Sequence, residues 1–190
     1  MSSPCLENLA MLEPVVRSVI VSQEDMMRYH DPERIQHYCH ACEKYGKFWS
    51  CPPFENQPLA SLPPWTHAVL MTQKTPVRGG SSPAELIEQF MLARALLSES
   101  MLRREAEGTV TVIAGHCAGC VTCTRSREKP CGFPSKMQYS LEALGFDVTR
   151  LAEELAGQPI EWPEDGKPAH LMIVGALLCA SHDLARRISA

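Results

Sequence analysis

Thr109-Val110-Thr111-Val112-Ile113-Ala114-Gly115-His116-Cys117-Ala118-Gly119-Cys120-Val121-Thr122-Cys123 runs a β-branched apolar segment straight into three cysteines at two-residue spacing. A fourth, Cys131, follows after seven intervening residues. The first part, Thr109 to Ala114, has the residue types that pack on a pleated surface and reads as a strand. The second is a tight loop that places sulfurs on one side, where thiolates converge on a metal centre instead of pairing with each other. The fold implied is a sheet whose connections carry ligands.

Three more strand-like runs, Val15 to Val21, Ala68 to Met71 and Leu171 to Leu178, bring the expected sheet to about four strands. The clearest helix starts after Ser82, with Pro83 at its first position and Glu85 completing a capping box, and should run to about Arg104. Its Leu86, Ile87, Phe90, Met91, Leu97 and Met101 form an apolar face expected to lie across the sheet. Arg94 projects into that face, as a stem that snorkels to water or as a buried partner for a cofactor. A second capping box at Ser135 and Gln138 predicts a helix from Lys136 to Leu144, stopped by Gly145. A third helix is expected from Asp147 to Ala156, with Gly157 and Pro159 opening a loop that lasts through Pro168. This order predicts an α/β fold of the α+β sandwich kind, a roughly four-stranded sheet covered by helices, in which two cysteine-rich metal-binding loops are long connections. Residues 1–190 read as a single metal-binding, iron-sulfur domain, since 190 residues at 45% hydrophobic suffice for one core.

Nine cysteines, an odd number, without a charged start leading into an apolar signal segment, argue against a secreted disulfide framework and for the cytoplasm. The longest apolar stretch, Leu171 to Ala180, is about half the ~20 residues of a membrane helix, so no membrane association is expected. A net charge of −4 without a basic stripe argues against nucleic acid. There is no phosphate-cradling glycine loop, dinucleotide fingerprint or nucleophile elbow to support nicotinamide binding or serine hydrolysis.

The functional case therefore rests on cysteine. Zinc ribbons use separated pairs of sulfurs, whereas three cysteines on one continuous loop with a fourth soon after match iron-sulfur ligation. Cys117, Cys120, Cys123 and Cys131 suffice to close one [4Fe-4S] cluster, a site suited to electron transfer. Arg125, Arg127, Lys129 and Lys136 lie beside it against one acid, Glu128, and the N-terminal end of a helix after Ser135 would add positive potential near Cys131. Structural zinc is the alternative.

A second set, Cys39, Cys42 and Cys51, has only three sulfurs. A cubane there takes its fourth ligand from Cys5, Cys179, His37, His40 or an exogenous molecule, and an open iron binds a small-molecule substrate directly. Cys179 sits in an apolar strand as a small hydrophobe, and Cys5 lies near a terminus. Tyr45-Gly46-Lys47-Phe48-Trp49-Ser50 between the cysteines provides rings that shield a cluster from water, with Lys47 or His40 available to position substrate. His116, beside Cys117, is either a proton shuttle or a structural hydrogen-bond partner.

Three blocks carry a resemblance: Cys39 to Cys42 with Tyr45, Gly46, Lys47 and Cys51-Pro52-Pro53; Gly115 through Cys131 to Pro134; and Ser140-Leu141-Glu142-Ala143-Leu144-Gly145-Phe146-Asp147-Val148. In these the chain resembles a family of prokaryotic cysteine-rich proteins known as predicted metal-binding proteins. The resemblance implies metal binding and specifies neither metal nor reaction. The expectation from the residues is a redox module with one closed cluster and a second three-cysteine one, exchanging electrons with a partner protein. The alternatives are an enzyme that binds substrate at the three-cysteine site and a zinc protein that serves as an interaction module.

Overall fold

The computed structural model describes residues 13–162 and 167–189. Strands β1 (Val15–Ser22), β2 (His67–Pro76), β3 (Thr109–Val112) and β4 (His170–Cys179) form one antiparallel sheet in the order β1-β2-β4-β3. Val15 faces Lys74 across the first pair, Thr72 faces Val174 across the second, and Thr109 faces Cys179 across the third.

The central strands β2 and β4 are covered on both sides, and their side chains alternate between two cores as a period of two requires. Ala68, Leu70, Val174, Ala176 and Leu178 join one, with Leu141, Leu144, Phe146 and Leu151. Val69, Met71, Ile173 and Leu177 join the other, with Ala93, Leu97 and Met101. Each fully buried Leu or Met here contributes on the order of 1.5–3 kcal/mol relative to exposure. The result is the expected α+β arrangement of a four-stranded sheet between two covering layers.

Among the described residues, and apart from short 3₁₀ turns, five helices accompany the sheet: α1 (Gln23–Met27), α2 (Pro32–His40), α3 (Pro83–Arg104), α4 (Val148–Arg150, continued by a π turn over Leu151–Leu155) and α5 (His182–Ser189). Helix α3 has the expected capping box: Ser82 Oγ accepts from the Glu85 N–H at 3.3 Å, and Glu85 Oε2 accepts from the Ser82 N–H at 2.7 Å. Its buried stripe, however, is Gln89, Ala93, Leu97 and Met101, spaced by four, with Arg94 beside it. Ile87, Phe90 and Met91, expected on that face, are exposed, because the stripe that meets β2 and β4 lies further round the helix. The contact is close at Gly175 of β4, where a Cβ would stand 2.7 Å from Met101 Sδ.

The helix expected over Lys136–Leu144 does not form. Pro134–Lys136 makes one 3₁₀ turn, after which Tyr139 accepts a backbone hydrogen bond from Ile113 N–H at 3.0 Å. That long-range bond holds the segment beside the end of β3, which stops at Val112 and not at Ala114 as expected. Residues 140–146 then turn sharply, driving Leu141, Leu144 and Phe146 into the core. The helix from Asp147 forms as expected, with Asp147 Oδ1 accepting from Arg150 N–H at 3.1 Å. Three helices have no counterpart in the sequence reading: α1, capped by Ser22, α2, capped by Asp31 with Pro32 at its first position, and α5, capped by Ser181. Among the described residues no helix is long and apolar enough to cross a membrane.

Candidate metal centre

The loop of Cys117 to Cys131 is launched by a buried arginine. Arg94, 5% exposed, donates from Nε to the Ala114 carbonyl at 2.5 Å and from Nη2 to the His116 carbonyl. The snorkelling expectation is thus corrected: the head does not reach water because two loop carbonyls hold it inside. Between them Gly115 takes φ +70°, and a Cβ there would meet Arg94 Nε at 3.3 Å, so turn and cation fit only around glycine.

Beyond this point the loop folds on itself. The Gly119 N–H donates to Cys117 Sγ at 3.4 Å. A 3₁₀ turn over Thr124–Arg127 ends in Glu128 at φ 54°, and Thr124 Oγ1 donates to the Pro130 carbonyl at 2.8 Å. These bonds return the chain so that Cys131 joins Cys117, Cys120 and Cys123 around one cavity, with Trp49, Ser50, Thr124 and Met137 completing its wall. The helix end expected to face Cys131 is only the single turn at Pro134–Lys136, too short to sum a dipole. Arg127, Lys129 and Lys136 are exposed.

The three-cysteine set begins in the last turn of α2. Cys42 N–H donates to the Cys39 carbonyl and Tyr45 N–H to the Cys42 carbonyl, each at 3.0 Å, and Lys44 N–H donates to Cys42 Sγ at 3.5 Å. Gly46, at φ +70°, closes the loop by donating to the Pro52 carbonyl at 2.8 Å. Burial pushes the Cys39 thiol up to about 11, with Glu142, Cys42 and Cys51 adding their charge to the same effect. Burial also raises Cys51; a Ser50 hydrogen bond opposes this, Cys42 adds to it, Arg125 opposes it and Cys123 adds to it. Crowded, half-buried thiols that discourage one another's ionisation form a donor set that a bound cation turns to thiolate.

The two sets adjoin. Cys117 N–H donates to Ser50 Oγ at 2.9 Å, one residue from Cys51. Arg125 reaches from the four-cysteine loop into the other, donating to the carbonyls of Phe48 (2.7 Å), Cys51 (2.5 Å) and Pro53 (2.7 Å), while its guanidinium lies 5.1 Å from the Trp49 ring centroid. Trp49 Nε1 answers by donating to the Lys129 carbonyl at 3.0 Å. Phe48 lies against His116 with ring centroids 4.1 Å apart, where burial and then Arg94 lower the imidazole's pKa. Sequence reasoning placed Arg125 beside a cluster as a charge and missed it as a clamp, because its three acceptors lie more than seventy residues away in the chain.

Of the candidate fourth ligands at the three-cysteine site, Cys179 is fully buried in β4, where its thiol donates to the Leu177 carbonyl at 3.2 Å. His40 stacks on Tyr45 at 4.4 Å and His37 meets Tyr38 at 6.0 Å. Cys5 lies outside the described residues. Sequence reasoning missed Glu142, a half-buried residue whose Oε2 is buried without a partner; burial raises its pKa, opposed by hydrogen bonds from its own backbone and Ser140, and the only signal was its place in the third resemblance block. Among the described residues no three His, Cys, Asp or Glu side chains gather closely enough to hold a single metal ion.

No curated protein and no solved structure matches the chain. A family model matches residues 26–179, from α1 through β4 and across both cysteine sets, and its description is Predicted metal-binding protein (DUF2284). With most of its length inside that match, the chain belongs to this family of predicted metal-binding proteins.

Proposed function

We propose that the chain is a redox module of the cytoplasm with two adjoining iron-sulfur sites. Cys117, Cys120, Cys123 and Cys131 hold one [4Fe-4S] cluster, and Cys39, Cys42 and Cys51 hold a second. The observation that carries this reading is the seam between the loops, where Ser50 bonds Cys117 and Arg125 bonds the Cys51 carbonyl. Two soft-donor sets on one rigid seam suit electron passage, which neither a lone structural zinc nor a lone closed cluster requires. A bound cluster supplies one-electron transfer; the protein's residues set its potential and its partner.

The N–H groups of Gly119 and Lys44 donate to Cys117 and Cys42 sulfur and so favour the more negative, reduced charge state. The buried Arg94, whose charge is felt at Cys117 and Cys51, acts in the same direction at both sets. Val121 and Phe133 stand exposed on the four-cysteine loop among Arg127, Lys129 and Lys136. That mixture fits a partner redox protein with an acidic rim and an apolar centre.

The odd set of three thiols favours a second reading, an enzyme in which a small-molecule substrate reaches the Cys39 site. A spectral change on adding substrate, absent for a simple carrier, separates the two.

The test is anaerobic purification with iron and acid-labile sulfide counted per chain, and spectra recorded before and after dithionite. The reading requires roughly eight irons and bleaching on reduction. Colourless protein stoichiometric in zinc contradicts it.

A further inference from the structure

We propose that His67 and His182 form a two-histidine site for a divalent metal of the zinc and nickel class, open to solvent and separate from both cysteine sets. The iron-sulfur reading does not depend on it, nor it on that reading.

The two rings are brought together by different elements. His67 opens β2, a strand paired on both edges, where it faces Ser22 of β1 and Cys179 of β4. His182 opens α5, whose start is fixed by Ser181: Leu184 N–H donates to Ser181 Oγ at 3.2 Å, and Ala185 N–H to the Ser181 carbonyl at 3.1 Å. Leu184 and Ala185 are buried against the sheet with Val69 and Cys179, so the first turn of the helix is held over the first residue of the strand. The ring centroids stand 4.9 Å apart with their planes tilted by 49°. A metal bonded to one nitrogen of each ring at about 2.0–2.1 Å lies about 3 Å from each centroid, so two imidazoles at a tetrahedral angle have centroids about 5 Å apart. The observed spacing fits two ligands of one ion with neither element moved.

Spacing alone would also suit two packed rings. The hydrogen bonds of Thr66 add what packing does not require. Its N–H donates to the Cys179 carbonyl at 2.9 Å, its carbonyl accepts from the Gln23 N–H at 2.8 Å, and its Oγ1 donates to the Ala180 carbonyl at 3.1 Å. The single hydroxyl hydrogen is thereby used, so the 3.0 Å contact between Thr66 Oγ1 and His67 Nδ1 takes its proton from the imidazole. His67 is thus the Nδ1–H tautomer with its lone pair on Nε2, the arrangement in which an outer hydrogen bond orients a metal-binding imidazole. His67 is half-buried and His182 exposed, so an ion enters from solvent. Because no third His, Cys, Asp or Glu gathers with them among the described residues, water fills the remaining positions, and imidazole with water suits zinc and nickel.

The probe is nickel(II), supplied by equilibrium dialysis to anaerobically purified full-length wild type, His67→Gln, His182→Gln and His37→Gln, with circular dichroism on each. All four keep the nine cysteines, so nickel taken by thiolates is common to them. Wild type is expected to hold about one nickel per chain that His67→Gln and His182→Gln each bind about tenfold or more weakly. His37→Gln, whose ring meets Tyr38 on α2, should bind as wild type does. Thr66→Val keeps both rings and removes the outer bond, and should weaken the nickel by about tenfold, a change that ring packing alone would not produce. The exposed His182 carries the test should His67→Gln misfold. Nickel uptake equal in wild type and His182→Gln overturns the inference and leaves the pair as packed rings. Iron content enters neither result, so the cluster reading stands or falls separately.

Discussion

Replacing Arg94 by methionine removes a buried guanidinium while keeping a long apolar stem on the same face of α3. The structure sets the scale of the loss. Two hydrogen bonds disappear, to the carbonyls of Ala114 and His116, and both acceptors belong to the turn that launches the four-cysteine loop. A buried carbonyl left unserved costs about 1–3 kcal/mol, so the pair comes to roughly 2–6 kcal/mol. Methionine recovers part of this, because the charge it replaces was itself desolvated. The expected net is a destabilisation of about 2–4 kcal/mol, a large fraction of the roughly 5–15 kcal/mol of a whole domain. Urea unfolding of the metal-free protein, followed by circular dichroism, measures it as a lower midpoint at unchanged slope. Arg94→Lys should be rescued only in part, since an ammonium cannot span two carbonyls as a planar fork does. A methionine variant within about 0.5 kcal/mol of wild type, the range of an ordinary surface change, would refute the claim that Arg94 holds this loop.

Further outcomes follow from the same geometry. In metal-free protein Cys39 should resist alkylation at neutral pH and react only as pH approaches about 11, whereas metal should protect it throughout. Its folded-state pKa is raised from 9.0, so its share of metal-free stability is present below about 9 and lost as pH rises toward about 11; a midpoint that climbs across that window contradicts this. Gly145→Ala combines a left-handed backbone with a 2.9 Å clash on Pro32 and should destabilise by more than the ~1 kcal/mol of a simple glycine position, read as a lower thermal midpoint. Arg125→Lys keeps the charge but breaks most of the seam, and limited proteolysis should then cut between Cys51 and Trp65 faster than in wild type.

What was legible in the sequence was what short range decides. The Ser82–Glu85 box marked the start of α3, because its bonds span three residues. The strands were visible as apolar runs, and the cysteine spacing marked both loops, since ligand loops are local objects. What failed was decided by distant partners. Ser135 and Gln138 looked like a helix start, yet the bond from Ile113 to Tyr139 and the burial of Leu141 and Leu144 outweighed local propensity. The exposed Ile87, Phe90 and Met91 were assigned to the core because several apolar stripes compete on a long helix, and only the sheet selects one. Arg94 and Arg125 act on residues 20 or more positions away, a distance at which spacing carries no signal.

The central claim is that two cysteine sites meet along one seam and each holds a cluster. Electron paramagnetic resonance of the fully dithionite-reduced, anaerobic protein tests it most directly. The account predicts a spectrum broadened by coupling between two neighbouring spins, collapsing to one simple signal in Cys120→Ser. Two independent signals that merely add, or zinc with no signal at all, would contradict it.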